Sequence, residues 1–177
     1  PMPAFSYDSL FAERAAQPRV LGESKRGKYD FAVAYPDPNS IPFDGLLNGL
    51  KQAMDEEGGD LSLYYYSPGY TPLRSYVADK LARDRNIHVT ADDIVLGDGS
   101  GQPIHMIIET LIDPGDVVLV EDWVYGGTLG QLRRFQADIR GVACDNDGMM
   151  MDSLEAVILK ARGEGKAIKF IYTIPTF

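Results

Sequence analysis

Between residues 92 and 173 the apolar positions switch repeatedly between two periods. Ile104, Ile107, Ile108, Leu111 and Ile112 recur at helical spacing and predict a helix that buries one face. Asp113-Pro114-Gly115-Asp116 then breaks the pattern, and four consecutive apolar residues at 117–120 predict a strand buried on both sides. Leu129, Leu132 and Phe135 mark a second helix after Gly126-Gly127, residues 139–143 a second strand, and Asp145-Asn146-Asp147-Gly148 a turn. Leu154, Val157, Ile158 and Ala161 supply the buried face of a third helix, with Asp152 and Glu155 spaced as a capping box at its start. Residues 168–173 read as another strand, and Ile94-Val95-Leu96 is a shorter apolar run that leads into a glycine-rich turn. Alternation of this kind predicts an α/β fold, a mainly parallel sheet with right-handed crossovers held between two helix layers in a three-layer α/β/α sandwich.

Upstream the signals are sparser. Leu46, Leu47, Leu50 and Met54 define a helix that stops at Gly58-Gly59, and Leu73, Val77 and Leu81 define another. Between them three consecutive tyrosines, Tyr64, Tyr65 and Tyr66, precede Ser67-Pro68-Gly69 and form an aromatic loop rich in hydroxyl groups. Pro36, Pro38 and Pro42 punctuate an extended segment, because proline disfavours helix at the residue before it. Residues 1–28 mix apolar and charged positions, with a short helical pattern at 8–16.

The chemistry concentrates in residues 97–127. Gly97, Gly99 and Gly101 let the backbone approach a ligand without interference from Cβ, and the helix that starts near Gly101 points free N–H groups and its positive dipole end at the same place. Phosphate is the natural guest. In open α/β sheets ligands collect at the carboxyl ends of strands, where the glycine turn and the exit Glu121-Asp122-Trp123-Val124-Tyr125 both belong. Tyr125 is then placed to cover a ring whose phosphate the turn holds. A dinucleotide fingerprint is the rival reading, since Glu121 or Asp122 follows the glycines by roughly 20 residues, but Gln102 stands where the third glycine belongs.

Gly99-Ser100-Gly101-Gln102, Leu111-Ile112-Asp113-Pro114-Gly115-Asp116, Glu121-Asp122-x-x-Tyr125 and Tyr172-Thr173-Ile174-Pro175-Thr176-Phe177 together resemble, in order and spacing, the class I/II aminotransferases of pyridoxal-phosphate fold type I. The likeness runs from about residue 31 to Phe177, the amino-terminal portion of such an enzyme. It implies pyridoxal 5'-phosphate as cofactor, with Ser100, Gly101 and Gln102 at its phosphate and Tyr125 stacked on its pyridine ring. It implies a homodimer with a shared active site, in which Tyr64 or Tyr66 reaches the partner's cofactor phosphate. The segment Ala34-Tyr35-Pro36-Asp37-Pro38 resembles the family's substrate-side loop, which makes Ala34 and Tyr35 candidate substrate contacts, with Ala34 in place of the expected glycine. On this likeness residues 1–60 are an amino-terminal arm with the substrate loop, and residues 61–177 part of the large cofactor-binding domain. The reaction implied moves an α-amino group between an amino acid and a 2-oxo acid. A fold-type I lyase, decarboxylase or cyclopropane-forming synthase shares the same likeness, as does the ligand-sensing domain of a transcription regulator. In the family the Schiff-base lysine lies beyond the Thr-Ile-Pro-Thr-Phe segment, so residues 1–177 hold no catalytic residue on this reading and are expected to be inactive alone.

Composition narrows the partners. A net charge of −9 over 177 residues argues against a general nucleic-acid or anionic-membrane surface. The single cysteine, Cys144, excludes an internal disulfide. No apolar run approaches the roughly 20 residues that cross a bilayer, and no leader pattern stands at the amino end, so a cytoplasmic enzyme is expected. His105, one turn into the phosphate-facing helix, is read as a packing or surface residue, His88 as part of a surface connection, and Cys144 as a small buried side chain without metal or nucleophilic partners. Lys160, Lys166 and Lys169 are read as solvated charges at element ends.

Overall fold

The computed structural model describes residues 28–29, 36–64 and 68–175, and the chain divides into two compact units, Pro1–Thr71 and Pro72–Phe177. In the first unit, helix α1 (Phe43–Glu57) ends where Gly58 takes over and donates its N–H to Met54 O. A short 3-10 turn, Gly58–Ser62, follows, and the Tyr70 hydroxyl donates to the Glu57 carboxylate. Ahead of α1 the proline-rich segment is ordered by Asp37, whose carboxylate accepts from Asn39 N–H at 3.0 Å as Pro38 opens a 3-10 turn. The apolar stripe of α1 is not buried within this unit, where Leu46, Leu47, Leu50 and Met54 remain largely exposed.

The second unit holds the sheet. Strands β1 (Val117–Glu121), β2 (Asp138–Val142) and β5 (Ile168–Tyr172) lie in the order β2-β1-β5, all parallel, while β3 (Cys144–Asp145) and β4 (Gly148–Met149) make a small antiparallel hairpin at the expected turn. The central strand is buried on both sides by different helices. Val118 and Val120 pack with Ile108 and Ile112 of α3 (Gly101–Leu111 and its cap) and Leu132 of α4 (Gly126–Arg134). Val117 and Leu119 pack on the other face with Val157, Ile158 and Ala161 of α5 (Met151–Gly163). The three-layer α/β/α arrangement expected from the pattern is therefore present over these residues.

Four local expectations are corrected. Ile94-Val95-Leu96 is not a strand, because no neighbouring strand pairs with it among the described residues and an isolated strand leaves its backbone groups to water. The apolar stripe of α3 splits: Ile108 and Ile112 enter the core, whereas Ile107 and Leu111 face a groove of about 420 Å³ lined also by Val95, Leu96, Pro103 and Met106. Helix α2 (Thr71–Arg85) buries Arg74 and Ala78 and leaves Leu73 exposed. Its Arg74 guanidinium donates to Ile94 O at 2.9 Å and Ala91 O at 2.5 Å and meets Asp92 at 3.2 Å, which satisfies a charge that burial would otherwise penalise. Finally, α5 is capped at Met150 without a capping box; Ser153 Oγ instead accepts the Ala143 N–H at 3.0 Å and ties the helix to the end of β2.

Candidate functional site

Element lengths decide where the site lies. Helix α3 spans 11 residues and runs back along β1, a strand of five residues; at about 1.5 Å per helical residue and about 3.3 Å per strand residue the two have nearly equal length. The start of α3 is therefore level with the carboxyl end of β1, from which α4 departs after a short loop. Both helix N-termini open onto the same sheet edge, and Gln131 Nε2 of α4 donates to Gly101 O at 3.3 Å across the gap.

The turn before α3 is shaped for close approach. Gly99 has φ +65°, a conformation costly for side chains with Cβ, and a Cβ on Gly97 would sit 2.7 Å from Pro103 Cγ. Gln102 Oε1 accepts the Asp98 N–H at 2.6 Å and so closes the turn on itself. The N–H groups of Ser100, Gly101 and Gln102 precede the first helical hydrogen bond, from Ile104 N–H to Ser100 O at 3.2 Å, and Pro103 has no N–H to offer. Ser100 stands at the N-cap without a side-chain capping bond, which leaves its hydroxyl available beside those N–H groups. An oxyanion with several acceptor oxygens fits this donor set.

Tyr125 lies at the exit of β1, where its carbonyl accepts from Thr128 N–H at 3.2 Å and Leu129 N–H at 3.4 Å and starts α4. The residue is 64% exposed and its ring lies over Gly127, where a Cβ would be 2.3 Å from Tyr125 Cε1. The structure thus gathers Ser100, Gly101, Gln102 and Tyr125 on adjoining helix starts at one edge. Tyr64 belongs to the first unit and is fully exposed; Tyr66, Ala34 and Tyr35 lie outside the described residues.

The dinucleotide reading loses one of its two candidate acids. Glu121 Oε1 accepts from Thr173 Oγ1 at 2.6 Å and Oε2 from Ile174 N–H at 3.0 Å, so both oxygens are engaged. Those donors, the hydroxyl first, hold the carboxyl below its ordinary range. His105 packs edge-on against Phe135, with ring centroids 5.3 Å apart, and Glu109 lies 3.9 Å away. Cys144 is half-buried rather than buried. Lys166 and Lys169 are partnered rather than merely solvated, Lys166 with Asp138 and Lys169 with Asp116 at 3.1 Å. Arg74 and Gln131 carry no signal in the sequence, and Glu121 signals only an acid at the strand exit, because each acts on a segment distant in the chain.

The family model for aminotransferase class I and II matches residues 35–174. An aromatic-amino-acid aminotransferase from Thermococcus litoralis is 27% identical over 99% of this chain and 44% of its own length. An archaeal alanine:glyoxylate aminotransferase of known structure is 35% identical with a TM-score of 0.73, over 80% of this chain and 35% of its own. A Pyrococcus horikoshii kynurenine aminotransferase, solved with PMP, is 27% identical with a TM-score of 0.74 over the same shares. The chain spans less than half the length of these relatives, and it belongs to the aminotransferase class I and II family.

Proposed function

We propose that this chain supplies the phosphate-binding and ring-covering groups of a pyridoxal 5'-phosphate-dependent aminotransferase, which moves an α-amino group between an amino acid and a 2-oxo acid. The observation that carries this reading is the set of free donors at the start of α3, the N–H groups of Ser100, Gly101 and Gln102 with the Ser100 hydroxyl, on a turn that excludes Cβ at Gly97. When bound, the cofactor supplies an electron sink that lowers the cost of removing the α-proton of the amino acid.

The residues of this chain do the holding. Backbone N–H groups and the α3 dipole bind the phosphate, the Ser100 hydroxyl adds a donor, and the Gln102 side chain keeps the turn closed. Tyr125 covers one face of the ring and fixes its plane. On this reading Tyr64 or Tyr66 completes the phosphate site of a partner protomer in a homodimer, Ala34 and Tyr35 line the substrate side, and the enzyme works in the cytoplasm. The division into residues 1–60, arm and substrate loop, and residues 61–177, cofactor-binding part, belongs to the same proposal. Among the described residues no helix is long and apolar enough to cross a membrane.

The test compares pyridoxal phosphate with pyridoxal on the intact protein, followed by the fluorescence of Trp123, the one tryptophan of residues 1–177. The phosphate ester should bind far more tightly, and Ser100→Ala should weaken the ester by about 10- to 100-fold, one hydrogen bond to a charged group, while leaving pyridoxal unchanged. Equal binding of the two compounds would overturn the proposal.

A further inference from the structure

Glu121 ends the central strand, carries no cation partner among the described residues, and directs both carboxylate oxygens at the segment after β5. That segment is gripped from two sides. Tyr172 lies among the α3 and α4 residues, and its hydroxyl accepts from Thr128, a threonine 2% exposed near the start of α4, at 3.0 Å. Side chains alternate along a strand, so Glu121 falls in phase with Val117 and Leu119 on the α5 face, opposite Tyr125 and the glycine turn. Thr173, one residue past Tyr172, meets it there. On the other side of β1, Asp122 N–H donates to Val142 O at 3.1 Å, and Val124 packs into the core. The backbone that leads to Tyr125 is therefore anchored to both neighbouring strands, with Glu121 as the anchor on the β5 side.

We propose that Glu121 is a positioning residue for the cofactor: its carboxylate clasps Thr173 and Ile174 from behind the sheet and so fixes the platform on which Tyr125 covers the ring. The inference rests on the cofactor reading above and deepens it. Two donors from adjacent residues on one carboxylate define direction as well as distance, which a single contact does not. The depressed carboxyl agrees with a group that stays ionised at its post. The tyrosine that faces the cofactor thus depends on a residue that does not touch it.

The experiment uses the intact protein reconstituted with pyridoxal phosphate, with cofactor affinity read from Trp123 fluorescence and ring orientation from the induced visible circular dichroism at saturation. Glu121→Ala should weaken binding about 10-fold, equivalent to about 1.4 kcal/mol, and diminish the induced signal of the bound cofactor. Thr173→Val, which removes one donor at constant volume, should weaken it about threefold. Glu121→Gln should restore near wild-type binding, because an amide accepts from Ile174 N–H and donates to Thr173 Oγ1. Should Glu121→Ala fail to fold, Thr173→Val decides the matter by the same two readings. Unchanged affinity and dichroism in the variants, with only the melting temperature lowered, would reduce Glu121 to a structural contact and overturn the inference. A glutamine variant as weak as the alanine variant would do so as well, since charge rather than the two-point clasp would then govern. If the wild-type protein shows no saturable response, the cofactor reading itself fails and takes this inference with it, an outcome distinct from a responsive wild type with indifferent variants.

Discussion

Gly127→Ala separates binding from stability at Tyr125. Gly127 is the second residue of α4, and a Cβ there would lie 2.3 Å from Tyr125 Cε1, 2.7 Å from Cζ and 2.9 Å from the hydroxyl oxygen, where ordinary contact begins at 3.4 Å. The ring must yield by about 1 Å at its tightest point. It is free to do so, because the residue is 64% exposed and the swing of its side chain disturbs no core contact. Alanine in place of a helical glycine contributes about 0.5–1 kcal/mol, and a side chain pushed off its rotamer costs about 0.5–1.5 kcal/mol, so the folded state should change by less than about 1 kcal/mol. Cofactor stacking has no such compensation. An aromatic pair is worth about 0.5–1.5 kcal/mol beyond area, so affinity for pyridoxal phosphate should fall roughly 2- to 10-fold. Thermal unfolding and a Trp123 titration on the same preparation give both numbers, and Tyr125→Ala with the double variant closes the cycle. Alanine at 127 should cost nothing further once Tyr125 is removed. Wild-type affinity in Gly127→Ala, or full additivity in the double variant, would refute the argument that this ring faces the cofactor.

Two further outcomes concern stability. Arg74→Met should destabilise the second unit by roughly 2–3 kcal/mol in urea unfolding, because the carbonyls of Ala91 and Ile94 lose a charged donor inside the fold; a loss under about 0.5 kcal/mol would mean that water replaces the guanidinium. Asp138 is held below its ordinary value of 3.8 by the Arg140 guanidinium first, at 2.8 Å, and then by Lys166. The unfolded chain therefore takes up this proton before the folded one does. The contribution is complete above about pH 4 and is lost as pH falls through the lower folded value. Asp138→Asn should flatten this part of the acid-unfolding curve, followed by urea midpoints between about pH 5 and about pH 2, and an unchanged curve would assign the acid limb to other carboxylates.

The features legible in the sequence are those that a residue settles with its near neighbours. The apolar run at 117–120 announces a strand buried on both faces, and the two separate clusters around Val118 and Val117 bear this out. Gly99 and Gly101 announce a turn at a helix start, which needs only local backbone freedom. Pairing is different. Ile94-Val95-Leu96 has strand-like side chains, but a strand is a relation with a neighbour, and the spacing of one segment does not say whether the neighbour is there. Arg74 was hidden because a charged residue in a helical stripe counts as polar, although its long stem and five donors suit it to a buried position ringed by carbonyls. The Glu121 clasp required knowing that β5, and not a later strand, lies beside β1, and the order β2-β1-β5 is a property of the folded sheet.

The clasp also depends on an irregularity in that sheet. Ile168 packs with Val117 and Leu119 on the α5 face, whereas Phe170 and Tyr172, two and four residues later, pack on the α3 and α4 face. A regular strand would keep all three on one side, since successive side chains alternate. The register shift between Val117 and Val118, where the partners jump from Ile168 to Phe170, accounts for the change of phase. Ile171 now shares a groove with Leu119 and Ile158, and Thr173, two residues on, arrives on the face that Glu121 occupies. Tyr172 in turn reaches Thr128 on the opposite face. Without the shift Thr173 would point toward α4 and Tyr172 toward α5, and neither bond would form. One extra residue at the entry of β5 therefore sets which side chains meet at its exit, about 17 Å away for five residues of strand, and the geometry behind Tyr125 follows from it.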